Sequence, residues 1–493
     1  MGIVVKQGSK NAIFTYLGFF IGAIYTALLV PKVFSDFPEY WGVARLLISY
    51  ALIFAPFAML GTPMAIIRYF PKFSGEDKSK FIFMALFWAL MGTILLSVII
   101  YSMSNWWFVD EKNKLFNQNY YFIIPVLLGY VLLEFGSALA QSVYKSVLSI
   151  FVKELFYRLI ILVDILLYSF DIISFNSFLI IFSFAYLIAF IPLFIFLIKE
   201  KNIGMIVDFR YIFSPKHKGL YIYALFTIIG ASAFIILAQL DNIMISEYLT
   251  LKEVAIYGPS LFIATVILVP SRSIIAIVRP LVANAWVTNS LDKIKELYTK
   301  TSIVLSTYAI YLFILIWINI DLIMYFYGEE FGQGKYVVLF ISLGNIINLL
   351  TSINGTIINT SKYYKSDIFF QVILIGLTII TNMILIPIYG ITGAALATAI
   401  TIFLQNLIKL IYIYVVFKMH PFTSKTVYLL LFGLFLFLVV NNLPVFYNLF
   451  VSSVIYSIIF SILFWSVAYL LKLSEDINAL IINILGRVVG FFK

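Results

Sequence analysis

FTIIGASAFIILAQLDNIMISEYLTLKEVAIYGPSLFIATVILVPSRSIIAIVR, residues Phe226 to Arg279, is the stretch on which the reading of the whole chain turns. It predicts two apolar helices, over 225–240 and 255–278, around a short polar turn carrying Asp241, Glu247, Lys252 and Glu253. Each run is long enough to cross a hydrocarbon core, which takes about 20 apolar residues. The stretch is also an approximate second copy of Phe14 to Arg68. Phe14-Thr15-x-x-Gly18 recurs as Phe226-Thr227-x-x-Gly230, Trp41-Gly42 as Tyr257-Gly258, and Ala65-Ile66-Ile67-Arg68 as Ala276-Ile277-Val278-Arg279. The copies lie about 210–216 residues apart, and similarity at a fixed offset implies a duplicated architecture.

Composition names the solvent. Hydrophobic residues make up 63% of the 493 and charged residues 11%. A soluble globular chain is nearer half apolar and a quarter charged, so the excess requires lipid. There are no cysteines, which excludes disulfides, thiolate chemistry and Cys-ligated metals. The run 11–30 follows Lys6 and Lys10 and has no small-residue cleavage site before Pro31-Lys32, so it reads as a retained first helix.

Working outward from the two copies, apolar runs fall near 11–30, 41–67, 81–106, 120–144, 149–170 and 175–198. A second set falls near 220–240, 255–278, 302–327, 336–359, 368–387 and 391–417, and two more follow near 427–446 and 449–471. The expectation is an all-α polytopic membrane protein of about 14 transmembrane helices. Six helices separate equivalent points of the copies. Both copies therefore run the same way across the bilayer, as two six-helix lobes related by a pseudo-two-fold along the membrane normal. The expected divisions are 1–210 for helices 1–6, 211–424 for helices 7–12, 425–473 for two trailing helices, and 474–493 for an interfacial amphipathic tail. A short surface helix is expected near 290–297, in the long connection 279–301.

The net charge of +10 fits orientation rather than nucleic acid. Alternate connections hold about 27 of the 33 basic residues, and the opposite set holds only Lys32, Lys112, Lys114, Lys252 and Lys335. The richer side, with both termini, is expected to be cytoplasmic.

Charges inside apolar helices cost several kcal/mol unless they face water or a partner, so they mark candidate sites. Arg45 sits about one turn inside the outer end of the second helix. It either contacts phosphate or sugar in a cavity or snorkels to the interface. Arg272 lies nearly two turns inside its helix, and Arg68 and Arg279 are equivalent in the two copies. The four guanidinium groups can bind phosphate bidentately, and ordinary anchoring is the alternative. Glu134 and Arg158, at similar depth on neighbouring helices, read as an ion pair. Asp164 is deeper and has Lys409 as one candidate partner. Asp241, beside Gln239 and Asn242, is a cation site or a solvated helix end. Asn345, Asn348, Asn354 and Asn359 descend the tenth helix, and Asn345/Asn348 and Gln405/Lys409 share faces. His217 and His420 have no neighbouring ligand set, so neither a metal nor another cofactor is expected.

Asn382-x-x-Leu385-Ile386-Pro387-x-Tyr389-Gly390-Ile391-x-Gly393-Ala394-Ala395-x-Ala397-Thr398 resembles a signature of the polysaccharide-exporting branch of the multidrug/oligosaccharidyl-lipid/polysaccharide flippase superfamily. Gln239-Leu240-Asp241-Asn242 is similar to that branch's seventh-helix end, and Gly2–Asn11 to its amino-terminal segment. The resemblance implies an inner-membrane protein, not an enzyme, that moves a polyprenyl-pyrophosphate-linked oligosaccharide to the outer leaflet by alternating access. It also implies work alongside other polysaccharide assembly proteins. Two other readings stay open. Drug/cation antiporters of the superfamily often carry an acid on the first helix, where 11–30 has none. A membrane glycan polymerase or ligase needs a large outer loop, and the outer loops here are short. Sodium-coupled relatives place an acid on the seventh helix and polar groups on the eleventh and twelfth. Asp241, Asn382 and Thr398 or Thr401 match in part, while Ile386 is apolar where an acid would help.

Overall fold

The computed structural model describes residues 2–102, 111–200, 203–445, 447–479 and 482. Among the described residues every regular element is a helix. Ten of the described helices are long and apolar enough to cross a bilayer, and Ser424–Val440 is a shorter apolar helix. Among the described residues, each of the 14 apolar runs of the sequence falls mostly on helix. The chain is an all-α polytopic membrane protein, and its outward side chains agree: Ile94, Leu95, Val98, Ile195, Leu431, Leu434, Ile458 and Ile462 are all exposed. In water such faces would drive aggregation; in lipid they cost nothing.

The chain divides into two compact units, Met1–Pro259 and Ser260–Lys493. In the first, the helix Gly2–Ala23 continues through a π-helical turn, Ile24–Leu29. The helix Pro38–Met59 ends where Leu60 and Gly61 both take left-handed backbone (φ 48° and 73°), and Thr62–Tyr69 resumes beyond. Gly75–Ser102 and Ile123–Ser142 follow. The fifth span is composite: Ser146–Ile150, a π-helical Phe151–Phe156, and Tyr157–Ser169. Phe175–Lys199 and Lys218–Tyr248 follow, and the unit ends at Pro259, inside the helix Leu251–Thr265. Ala65, Ile66, Phe70, Phe81, Phe135, Tyr211 and Leu220 form one core cluster, and Leu133, Val152, Ala189 and Leu193 another.

In the second unit, Val269–Val287 and Leu291–Ile318 are joined by a three-residue turn. The amphipathic run 290–297 is therefore the first two turns of the ninth helix and not a separate surface helix. Its Ile294 and Tyr298 are fully buried against Val282, Ile353 and Ile357, which draws the run into the bundle. The expected span 302–327 stops at Ile318, and Ile320–Phe331 is a separate helix bent at Gly328 (φ 74°). The tenth span is broken: Lys335–Leu350 stops, and Asn354–Thr360 resumes. The helix Tyr364–Phe417 turns at Gly390 (φ 61°), after Pro387. A Cβ on Gly393 would stand 2.0 Å from the Leu385 carbonyl oxygen, so this tight turn between the eleventh and twelfth spans excludes side chains at both glycines. The trailing helices Ser424–Val440 and Leu449–Leu470 pack Leu429, Leu436, Phe460 and Phe464 against Ile310 and Ile314. The expected tail 474–493 lies largely outside the described residues.

Candidate functional site

Five spans of the first unit bring polar side chains to one place inside an apolar bundle. Glu134, on Ile123–Ser142, holds Lys153 Nζ at 2.5 Å from its Oε1. Tyr130, one turn before Glu134 on the same helix, hydrogen bonds to it. The Tyr130 ring meets that of Tyr186 edge-on at 5.3 Å. Tyr186 in turn stacks on Tyr157, with centroids 4.1 Å apart and ring planes 5° from parallel. Tyr25, on the π-helical turn of the first span, and Arg45 lie within electrostatic range of the Tyr157 hydroxyl. The Arg45 Nε is buried and has no hydrogen-bond partner among the described residues. Gly258 lies beside it: a Cβ there would sit 3.7 Å from that nitrogen, in ordinary van der Waals contact.

The local sequence explains this convergence. Tyr130/Glu134 and Lys153/Tyr157 are both four apart, which stacks each pair on one helix face. Both π-helical turns, Ile24–Leu29 and Phe151–Phe156, lie at the cluster. An i→i+5 turn inserts a residue and re-aims the side chains that follow it. Lys153 is paired with Glu134. Arg45 brings a further positive charge within electrostatic range of the Tyr157 hydroxyl. A wall of tyrosine hydroxyls and rings with that charge beside it is suited to an anion that carries hydroxyl-rich groups.

Glu134 and Arg158 do not pair. Arg158 Nη1 lies 3.1 Å from Glu154 on its own helix, and it abuts Gly18 of the first helix. The widened turn through Phe151–Phe156 aims Lys153, not Arg158, at the fourth span. Asp164 is completely buried, and neither carboxylate oxygen has a hydrogen-bond partner among the described residues. Lys409 is taken by Asp367, with Nζ 2.7 Å from Oδ1, and so is not the partner of Asp164. Asp241 is buried and accepts from the Tyr257 hydroxyl at 2.7 Å. Beside it, the Ser49 hydroxyl donates to Gln239 Oε1 and accepts from Asn242 Nδ2, each at 3.0 Å. These bonds tie Pro38–Met59 to Lys218–Tyr248. Arg68 is exposed, with its guanidinium 4.2 Å above the Tyr223 ring. Arg272 and Arg279 are exposed on Val269–Val287, in the second unit.

The second unit has its own polar cluster at the break in its tenth span. Asn406 accepts from Thr351 at 2.7 Å and from Asn354 at 2.9 Å. Lys409, one turn on, reaches the same break: a Cβ on Gly355 would lie 3.7 Å from its Nζ. Asn382 is fully buried on the eleventh span, and Asn345 donates to the Ala264 carbonyl at 3.0 Å.

In fold the chain resembles solved membrane transporters. The chain superposes on the lipid II flippase MurJ in an inward closed conformation with a TM-score of 0.73 and 16% identity, covering 93% of this chain and 98% of that one. It matches an inward-facing multidrug-resistance transporter of the multidrug/oligosaccharidyl-lipid/polysaccharide (MOP) superfamily with a TM-score of 0.65 and 12% identity, over 83% and 98% of the two chains. In sequence it is 20% identical to an uncharacterized membrane protein of Methanocaldococcus jannaschii, over 92% of this chain and 94% of the relative. No family model matches.

Proposed function

We propose that this protein moves an oligosaccharide linked to polyprenyl pyrophosphate across the cytoplasmic (inner) membrane by alternating access, for surface polysaccharide biosynthesis. The reading has the Lys/Arg-rich side and both termini in the cytoplasm, the lobes divided near residue 210, and polysaccharide assembly proteins acting before and after it. The observation that carries it is the buried, unpartnered Nε of Arg45 beside the Tyr25, Tyr130, Tyr157 and Tyr186 cluster. A pyrophosphate supplies the acceptor that this donor lacks, and tyrosine rings and hydroxyls present stacking faces and donors to sugar rings. Likeness in fold to a lipid II flippase supports a lipid-linked cargo. Arg68, Arg272 and Arg279 act in this reading as cationic groups that attract the anionic cargo, and Asp241, Asn382, Asp164 and the Lys409–Asp367 pair as coupling or structural groups.

Reconstituted vesicles loaded with a radiolabelled polyprenyl-pyrophosphate oligosaccharide test it. Wild-type protein should expose the glycan to an impermeant glycosidase on the far side, and Arg45→Ala should not, while still inserting. Equal exposure with empty vesicles refutes the reading. Likeness to a multidrug transporter favours one alternative, which predicts altered drug tolerance on expression and no glycan exposure.

A further inference from the structure

The first unit contains a cavity apart from the residues of the proposed cargo site. It has a volume of about 720 Å³ and is lined by Gln7, Lys10, Phe14, Lys145, Val147, Leu148, Phe151 and Phe196. Two cations and Gln7 form its polar part and no acidic residue lines it, while the remainder is aliphatic and aromatic. Lys10 and Lys145 are both exposed, so their ammonium groups are available at the mouth. The mouth is held in shape. Gln7 donates to the Tyr144 carbonyl at 2.8 Å and accepts from the Ser146 hydroxyl at 3.0 Å. Asn11 donates to the same hydroxyl at 3.3 Å, so the first helix is fastened to the turn that presents Lys145. That turn is reached through left-handed backbone at Tyr144 (φ 60°). The floor is packed as well, with the Phe14 ring meeting Phe151 edge-on at 5.2 Å.

We infer that this cavity holds an anionic glycerophospholipid of the surrounding leaflet. Its phosphate lies between Lys10 and Lys145, and the first part of one acyl chain lies along Phe14, Phe151 and Phe196. A basic mouth over an apolar floor complements an amphiphile with a negative head and leaves a zwitterionic head without gain. A free phosphate would leave the floor unfilled. The site sits where the first span crosses the π-helical turn of the fifth, so its occupant steadies the helices that carry Tyr25 and Lys153. The inference does not depend on the identity of the cargo.

Native mass spectrometry of the full-length protein, freed from detergent micelles, is the test. The probes are dioleoyl phosphatidylglycerol, dioleoyl phosphatidylcholine, undecaprenyl phosphate and inorganic phosphate. Phosphatidylglycerol should be retained in preference to phosphatidylcholine. A Lys10→Gln/Lys145→Gln variant should bind it about 30-fold more weakly, at about fivefold per lysine. A Lys362→Gln/Lys365→Gln control, at exposed lysines elsewhere, should match wild type, and so should the melting temperature of every variant. Equal retention of the two phospholipids, or equal retention by wild type and the Lys10/Lys145 variant, overturns the inference. Preferential retention of undecaprenyl phosphate overturns the choice of a bulk phospholipid and makes the cavity a cargo site. Retention of inorganic phosphate alone overturns the role given to the aromatic floor.

Discussion

Lys409 and Asp367 form a buried ion pair, with Nζ 2.7 Å from Oδ1 and side chains 8% and 12% exposed. Removing one member leaves the other charge buried and uncompensated, which costs about 3–5 kcal/mol. Asp367→Asn should therefore lower the unfolding midpoint of the purified protein well beyond the error of a thermal-shift assay. Replacing both, Lys409→Met with Asp367→Leu, removes both desolvation penalties at once and should restore most of the loss. A double variant as unstable as Asp367→Asn would show that the pair's surroundings, and not the lone charge, set the cost.

Glu134 joins Lys153 to Tyr130, so its carboxylate organises one wall of the proposed cargo site. Glu134→Gln keeps the shape and removes the charge. A hydrogen bond to a charged group contributes about 1.5–3 kcal/mol, which is about 10- to 100-fold in an equilibrium. Vesicle transport should fall within that range while membrane insertion is unchanged. Lys153→Met should give a similar loss. The two together should cost less than their sum, because they share one interaction.

Much of the fold was legible from hydrophobic runs and the internal copy, because lipid forces every spanning backbone into helix. The glycines of the Asn382–Thr398 stretch were legible too, since Gly390 and Gly393 answer to backbone geometry. The site was read unevenly. Arg45 stands out as a charge in an apolar run, though the run does not say whether its side chain turns inward or snorkels; the structure buries its Nε. The tyrosines did not stand out, because in a chain with 33 of them a Tyr inside a span is no signal by itself. The i,i+4 pairs Tyr130/Glu134 and Lys153/Tyr157 were the available clue. Depth along the helices pairs Arg158 with Glu134, but depth counted with regular α-helix ignores the π-helical turn that re-aims Lys153. Asp367 was hidden among the loop residues Lys362 and Lys365, because the eleventh span begins earlier than its apolar run does.

His217 lies between the rings of Tyr211, at 4.4 Å, Phe73, at 6.4 Å, and Tyr221, at 6.5 Å. Burial there pushes its pKa below the usual 6.5; Lys216 adds to the shift and Asp77 opposes it. The unfolded chain therefore takes up this proton first as pH falls. Stability is unaffected above pH 6.5 and declines below it, until the folded form is protonated as well, at up to about 1.4 kcal/mol per pH unit. His217→Phe should flatten that part of a stability-against-pH curve and leave the neutral side in place. An unchanged acid limb would assign the decline to carboxylates such as Asp208, whose pKa is lowered by the Tyr211 amide and by Lys80.

The absence of cysteine makes orientation directly measurable. Lys32 and Lys365 are both exposed, on connections assigned to opposite sides. In intact cells an impermeant maleimide should label Lys32→Cys and spare Lys365→Cys, with the reverse in inverted vesicles. Labelling of both from outside would invalidate the alternation of basic loops on which the cytoplasmic assignment stands.

Gly42 is pressed against the next element: a Cβ there would stand 2.0 Å from the Leu251 carbonyl oxygen. Backbone on backbone leaves no flexible group to yield, so Gly42→Val must push Pro38–Met59 away from Leu251–Thr265. Ser49, two turns further along the same helix, is completely buried where it bonds to Gln239 and Asn242. A maleimide should therefore ignore Ser49→Cys alone and label it once Gly42→Val is added. Gly42→Ala should label to an intermediate extent, because one methyl demands a smaller displacement. If alternating access requires these helices to meet and part, transport should fall in the same order as labelling rises. Full transport with full labelling would separate this contact from the transport cycle and leave it a packing detail.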